Sequence, residues 1–281
     1  MNCDERRKEV WVGNSVVLAN EQVAEGVRKI ALEAPELAER AKPGQFLMLR
    51  ALDCVDPLLG RPFAIYDADR ASGRVEALYA IVGKATTRAS RVRPGESLGL
   101  WGPLGNGWSA SEGAAKPKRL ILVAGGVGCA PFYLLLKELA SRAPSERPET
   151  TYLCGARSSS KLLCFDEFER LGIDARAITE DGGRGVKGVV TDLLPELFAT
   201  EESRAATRIL ACGPYPMLRA VAKWANERSI ECWTSMESPM ACGLGICFSC
   251  VVKYRDDDGT IDYKRTCVDG PVFDASRLVW E

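Results

Sequence analysis

Short apolar or alternating runs follow one another closely at the start of the chain: residues 10–18, 46–49, 63–66, 75–82 and 97–101 each read as a strand. Pro43-Gly44, Gly60, Gly73 and Pro94-Gly95 punctuate them. Turn residues at that rhythm, with little helix beyond a short stretch after Lys84, predict a small antiparallel barrel. The most linker-like stretch, residues 109–117, follows and marks a unit boundary.

From Arg119 the period changes. Residues 119–124 form a mostly apolar run, Gly125-Gly126-Val127-Gly128-Cys129-Ala130-Pro131 follows, and residues 132–141 repeat apolar positions at helical spacing. Further runs at 150–154, 175–179 and 208–212 alternate with helical stretches at 161–170, 189–198 and 215–228. Strands covered on both faces read as continuous apolar runs, so the alternation predicts a parallel sheet with helices on either side. A strand, a glycine turn and a helix in that order present backbone N–H groups to a pyrophosphate. Gly125, Gly126 and Gly128 are therefore candidate nucleotide-binding positions, although their spacing is not G-x-G-x-x-G.

The 281 residues suffice for two or three units with cores of their own. With 37 basic against 38 acidic side chains, the net charge of -1 leaves no electrostatic footprint for nucleic acid or an anionic membrane. No apolar run approaches the roughly eighteen residues of a membrane span, and the start Met1-Asn2-Cys3-Asp4-Glu5 lacks the apolar core of a signal peptide. Cytoplasmic location is the expectation. Eleven cysteines, an odd number in a long chain, fit a reducing compartment better than a disulfide framework. Cys3, Cys54, Cys129, Cys154, Cys164, Cys212 and Cys232 read mostly as buried core thiols. Histidine is absent, which excludes a Ser-His or Cys-His nucleophile, a His-ligated metal and an imidazole proton shuttle. The chemistry must come chiefly from bound cofactors.

The remaining four cysteines show which. Cys242, Cys247 and Cys250 are spaced C-x4-C-x2-C, and Cys267 follows after sixteen more residues. That is the order of a plant-type 2Fe-2S ferredoxin. Gly243 and Gly245 let the loop wrap tightly, and a hairpin of residues 251–254 and 260–263 around Asp256-Asp257-Asp258-Gly259 returns Cys267 to it. A zinc site of four thiolates is the alternative, although zinc ribbons normally present two short-spaced pairs.

Several stretches carry a resemblance to the ferredoxin reductase superfamily. Gly60-Arg61-Pro62-Phe63-Ala64-Ile65-Tyr66 resembles its Arg-Pro-x-Ser-Ile strand, and Leu78-Tyr79-Ala80 with Ala85-Thr86 resembles its second flavin segment. The resemblance implies FAD held by Arg61, Pro62, Phe63, Ala64, Leu78, Tyr79, Ala80, Ala85 and Thr86, with Arg61 on a phosphate. The alternative for Tyr79 is a barrel aromatic. Ala64 stands where the family often has Ser or Thr, so a side-chain hydrogen bond to the flavin is missing. Residues 102–108 resemble the family's Gly-Pro-Leu-Gly-x-Gly-Phe hinge. Residues 125–131 match its Gly-Gly-x-Gly-x-x-Pro run, and Cys212-Gly213-Pro214 with Met217 matches its Cys-Gly-Pro-x-x-Met. NAD is implied at Gly125, Gly126, Gly128, Cys212 and Gly213, with a core thiol as the alternative for Cys212. Residues 154–158 offer Arg157 and Ser158 but no acidic group, so NAD rather than NADP rests on the resemblance alone.

The order of these parts resembles the electron-transfer subunit family of NAD-dependent (class B) dihydroorotate dehydrogenase over essentially the whole chain. It implies a multidomain β and α/β protein: an antiparallel FAD-binding β-barrel at 8–110, a parallel-sheet NAD-binding α/β domain at 117–232, and a C-terminal 2Fe-2S module at 233–281. It further implies a relay in pyrimidine biosynthesis, from the FMN of a separate dihydroorotate-oxidising catalytic subunit through 2Fe-2S and FAD to NAD+. The two subunits are expected as a heterotetramer with two of each. Related subunits of NAD(P)H:ferredoxin, sulfide or hydrogenase complexes share the closing Cys267-Val268-Asp269-Gly270-Pro271 run; some replace the first cluster cysteine by Asp, so Cys242 favours the dihydroorotate family.

Overall fold

Strands that alternate inward and outward side chains can close on themselves once every edge finds a partner. In the computed structural model, which describes residues 10–52, 55–108, 117–198 and 206–281, the first unit does so. Strands β1 (Trp11–Ala24), β2 (Val27–Glu33), β3 (Phe46–Ala51), β4 (Arg61–Asp69), β5 (Arg74–Ala80) and β6 (Ser97–Leu104) form a closed barrel in the order β1-β2-β5-β4-β3-β6. Alternation decides which way each residue faces. Leu47, Leu49, Ile65, Val75, Ala77, Leu98 and Leu100 fill the interior, while Tyr66 and Leu78 point out to one neighbour and Phe46, Met48 and Leu104 to another.

Two barrel elements depart from the sequence reading. β2 was hidden by Arg28 and Lys29 in a run that does not alternate strictly, its burial running buried, half, half, buried, buried, buried, exposed. A six-residue helix, α1 (Pro35–Arg40), adds to the helix after Lys84, α2 (Lys84–Ala89). Pro35 starts α1 and Glu36 suits its first turn, while Leu37 and Ala38 are buried in the barrel cluster.

The second unit is a seven-stranded sheet in the order β10-β9-β8-β7-β11-β12-β15. Its parallel strands are β7 (Arg119–Gly125), β8 (Glu149–Ala156), β9 (Asp174–Thr179), β10 (Val186–Lys187), β11 (Thr207–Cys212) and β12 (Glu231–Ser235). Central β7 shows why its sequence is apolar throughout: Ile121 and Val123 enter one core, and Leu120, Leu122 and Ala124 enter the other. Helix α3 (Ala130–Ser141) and the short α4 (Phe165–Glu169) cover the second face; α5 (Leu194–Leu197) and α6 (Tyr215–Asn226) cover the first. The expected helices at 161–170 and 189–198 are shorter than their periodicity suggests. Cys164, at φ 51, breaks the first, and a 3-10 turn over Val190–Leu193 takes up half of the second.

The expected boundary between 232 and 233 falls inside β12, which the sheet retains through Ser235. The chain then leaves for the cysteine loop and the hairpin β13 (Val251–Arg255) and β14 (Ile261–Arg265), and returns as β15 (Val272–Asp274), antiparallel to β12. Residues 277–279 flank β13 on its other side, with Arg255 N–H donating to Arg277 O at 2.8 Å and Val279 N–H to Lys253 O at 3.1 Å. The expected linker, residues 109–116, lies outside the described residues, as do Cys3 and Cys54. Cys129, Cys154 and Cys232 are buried, and burial pushes the Cys154 thiol up to about 11, as inert core thiols require. Among the described residues no helix is long and apolar enough to cross a membrane.

The hinge loop after β6 touches both neighbours of the barrel. Trp108 stacks on Phe132 of α3 at 4.9 Å and donates its indole N–H to Pro131 O at 2.9 Å. Asn106 Nδ2 donates to Val268 O at 3.0 Å and Asp269 O at 3.2 Å.

Candidate functional site

Residues Arg61, Pro62, Phe63 and Ala64 open β4 and pair with Leu49, Met48, Leu47 and Phe46 of β3. All four are half-buried. Arg61 Nη1 donates to the carbonyls of Leu59 and Gly60, both at 3.0 Å, and no carboxylate pairs with it among the described residues. A guanidinium held by carbonyls keeps its charge for an anion. Ala64 and Ala80 point outward and pack against the cluster that contains Ala124 and Cys129. The expected flavin strands thus meet the expected nucleotide loop along one seam, lined there by small side chains.

Two of the residues expected at the flavin have side chains engaged within the protein. Tyr79 is 1 % exposed in the barrel interior, and its hydroxyl donates to Asn20 Oδ1 at 2.9 Å. Its ring lies 5.5 Å from that of Phe63, so it supports the β4 strand from within. The Thr86 hydroxyl accepts from the N–H groups of Val82 at 2.9 Å and Gly83 at 3.1 Å and donates to Gly83 O at 3.1 Å. It caps α2 and shapes the 82–86 turn, leaving backbone groups to meet a ligand. Lys84 ties this turn to Asp56, in the loop before β4, at 2.8 Å.

At the carboxyl edge of the sheet, β7 and β11 are neighbours in register, Ala124 opposite Cys212. A methyl group on Gly128 would stand 2.3 Å from Cys212 O, and one on Gly213 would stand 2.6 Å from Met217 Cε. These glycines let the two turns close on one another. Gly126 is different: its φ is +56° and a methyl group there would meet nothing within 4 Å, so it leaves the rim open. Gly125, Gly126, Gly128, Cys212 and Gly213 come together where open α/β sheets take their ligands. Burial pushes the Cys212 thiol up to about 12, against a hydrogen bond with Ser235, so it is a neutral thiol and no nucleophile.

The cysteine loop sits on the outer wall of the barrel. A side chain on Gly243 would strike Met48 Cγ at 2.9 Å and Leu104 Cδ1 at 3.1 Å, and one on Gly245 would strike Val268 Cγ2 at 2.5 Å. Both glycines have φ near +75°, at +72° and +80°. The β13–β14 register brings the fourth cysteine back as the sequence suggests, with Thr266 N–H donating to Cys250 O at 2.7 Å.

The four thiols act on one another's ionisation, Cys242 on Cys247 and Cys267 on Cys250, as neighbours in one loop do. Among the described residues no three His, Cys, Asp or Glu side chains converge on a single metal position. A binuclear centre takes two thiolates on each iron, and the C-x4-C-x2-C loop with its distant fourth cysteine suits it better than the two short-spaced pairs of a structural zinc. Donors surround the sulfurs. Leu244 N–H reaches Cys242 Sγ at 3.3 Å, and the Ser249 hydroxyl, 3.2 Å from Cys247 Sγ, brings that thiol down to about 6. The hydrogen bond from Cys267 likewise holds Cys250 low.

Sequence reasoning missed Trp101, whose Nε1–H donates to Cys242 O at 3.0 Å, and Arg265, whose Nη1 donates to Gly245 O at 3.0 Å beneath the Phe248 ring at 4.8 Å. The only signal for Arg265 is its place two residues before the fourth cysteine; a tryptophan on a barrel strand carries none.

Barrel, sheet and cysteine loop in this order define a reductase of the ferredoxin reductase class, with an added iron–sulfur-type module. Solved structures agree. A chain of the NADH-dependent reduced ferredoxin-NADP oxidoreductase superposes with TM-score 0.78 at 28% identity, covering 95% of this chain and 90% of that one. A ferredoxin NADP+ reductase from Neisseria gonorrhoeae with bound FAD and NADP shares the fold at TM-score 0.65 and 18% identity, over 77% of this chain and 91% of that one. The family described as the iron-sulfur cluster binding domain of dihydroorotate dehydrogenase B matches residues 237–279, and the oxidoreductase NAD-binding domain matches 122–223. The dihydroorotate dehydrogenase B (NAD(+)) electron transfer subunit of Desulforamulus reducens is 34% identical, over 96% of this chain and 99% of its own. That of Fusobacterium nucleatum is 34% identical, over 95% and 98%. The chain belongs to the family of dihydroorotate dehydrogenase B electron transfer subunits.

Proposed function

We propose that this chain relays electrons from an FMN-containing, dihydroorotate-oxidising catalytic subunit to NAD+ in cytoplasmic de novo pyrimidine biosynthesis, in a heterotetramer with two copies of each subunit. The spacing of Cys242, Cys247, Cys250 and Cys267 carries the reading, because four thiolates in that order suit the two irons of a plant-type 2Fe-2S centre. When bound, a 2Fe-2S cluster supplies one-electron transfer, FAD exchanges one or two electrons, and NAD+ accepts a hydride.

The chain's own residues arrange these exchanges. Arg61, anchored by two carbonyls, offers its charge to the FAD diphosphate, and the outward face of β4 at Ala64 meets the nucleotide seam. Gly126 leaves the nucleotide rim open, and Gly125, Gly128 and Gly213 let the turns beside it close. Cys242 meets the barrel at Trp101 of β6, whose neighbouring outward face is Phe46, Met48 and Leu104, while Ala64 and Ala80 face the nucleotide seam. The sequence has no histidine and no motif nominating a base for dihydroorotate, which fits oxidation of that substrate on the partner.

An anaerobic absorption spectrum before and after NADH, with iron, zinc and extracted flavin quantified on the same sample, tests this. Flavin bands and broad cluster absorption, both bleached by NADH, are expected. A colourless protein containing zinc would overturn the reading.

A further inference from the structure

β6 carries Trp101 out of the barrel between two functional segments. Its Nε1–H donates to the main-chain carbonyl of Cys242 at 3.0 Å. Its six-membered ring closes over Gly60, where a methyl group would stand 2.4 Å from Cη2 and 3.0 Å from Cζ2. Gly60 immediately precedes Arg61 on the strand assigned to the flavin. A single indole therefore touches that strand and the first cysteine of the cluster loop. β3 lies between β4 and β6, with Met48 opposite both Pro62 and Trp101, so the indole reaches over β3 toward the start of β4.

The acceptor is not an arbitrary carbonyl. Cys242 C=O belongs to the peptide unit whose N–H is that of Gly243, at the turn where the loop begins to wrap with φ +72°. A hydrogen bond accepted at the carbonyl polarises the amide and strengthens its N–H as a donor. Hydrogen bonds to cluster sulfurs are among the levers on an iron–sulfur reduction potential. Polarising the peptide group of a ligand acts in that direction, because it favours the form carrying more negative charge.

We propose that Trp101 is a positioning residue that holds the Cys242 ligand against the flavin strand and raises the reduction potential of the cluster. This deepens the relay assigned above and rests on it. The same side chain makes the two cofactor segments mechanically dependent: displacement of Gly60 is felt at Cys242 through the indole.

Trp101→Phe keeps a ring and removes the N–H donor. The test is a potentiometric titration of the holoprotein followed by electron paramagnetic resonance, with iron and FAD quantified on the same samples. Iron and FAD contents should match wild type while the midpoint moves to lower potential. At the wild-type midpoint the ratio of reduced to oxidised cluster should fall roughly threefold to tenfold, the range of one hydrogen bond. An unchanged midpoint at equal iron content overturns the proposal.

Gly60→Ala supplies an independent arm. Its methyl group displaces the indole, so the cluster signal should change although residue 60 lies at the entry to the flavin strand, outside the cluster loop. The change should be absent in the double variant with Trp101→Phe, which lacks Cη2. Equal changes in both backgrounds overturn the coupling. Should Trp101→Phe lose iron, Gly60→Ala alone decides, and an unaltered signal there counts against the proposal. Wild-type protein lacking iron would instead overturn the relay itself.

Discussion

Lys29 of the barrel donates to both carboxylate oxygens of Glu167 in the nucleotide domain, at 2.8 and 3.0 Å, across the seam between the two units. Tyr66 donates to the same carboxylate at 2.8 Å and stacks on Tyr133 of α3 at 4.4 Å. The seam therefore carries a buried aromatic face edged by a hydrogen-bonded ion pair. Burial alone would raise the Glu167 carboxyl, but the hydrogen bonds from Lys29 and Tyr66 outweigh it and leave it below its usual 4.5. A depressed carboxyl contributes stability above its unfolded value and loses it as the pH falls through the folded value. Glu167→Gln should cost roughly 1.5–3 kcal/mol at neutral pH. The gap from wild type should narrow below about pH 4.5 in urea unfolding measured across pH; a gap that does not change with pH would rule out the carboxylate.

Arg61→Ala should weaken FAD retention roughly tenfold to a hundredfold, the size of one charge-assisted hydrogen bond. Flavin content after extensive dialysis reads this directly, and unchanged content would exclude a diphosphate contact.

Cys247→Ser should abolish the cluster spectrum and leave FAD bound. Cys247 is exposed and takes no part in the contact of its loop with the barrel wall, which involves Cys250, Cys267, Met48 and Leu104. Iron and flavin assays after purification separate the outcomes; joint loss of both would mean that the loop supports the barrel.

Tyr79→Phe should lower stability by about 1 kcal/mol through loss of the bond to Asn20. The flavin spectrum should not change, because the hydroxyl faces the barrel interior. A shifted flavin band would return Tyr79 to the cofactor.

Gly128→Ala should destabilise the nucleotide domain by roughly 1–3 kcal/mol, since the new methyl group has no room beside Cys212 O. NADH affinity should fall with it, as turns that no longer close reshape the rim. Thermal unfolding and NADH titration of the same variant check both.

The parts of this protein that could be read from sequence are those where chemistry or burial constrains spacing. The C-x4-C-x2-C run is legible because four thiolates must meet, and β7 because both faces of a central strand are covered. β2 escaped because Arg28 and Lys29 are half-buried at the barrel surface and break the alternation. Tyr79 shows a subtler limit: a motif locates a strand, but the two-residue period decides which side chains face the ligand, and that phase depends on which neighbours enclose the strand. Trp101, Lys29 and Glu167 act between units far apart in sequence, so no local pattern marks them.

Ser235 and Val272 sit opposite one another in the β12–β15 ladder, and Met236 N–H donates to Pro271 O at 2.8 Å just beyond them. The iron–sulfur segment thus leaves and re-enters the nucleotide sheet at almost the same point, as an excursion sewn shut at its base rather than a bead hung from a chain end. Excising residues 237–270 and joining the two strands by a short turn would keep the β12–β15 pairing and remove the packing of Val252 and Tyr254 on the sheet. The electron carrier is, in architectural terms, an insert in the edge of a nucleotide-binding reductase, fastened at both ends to the sheet and resting on the barrel.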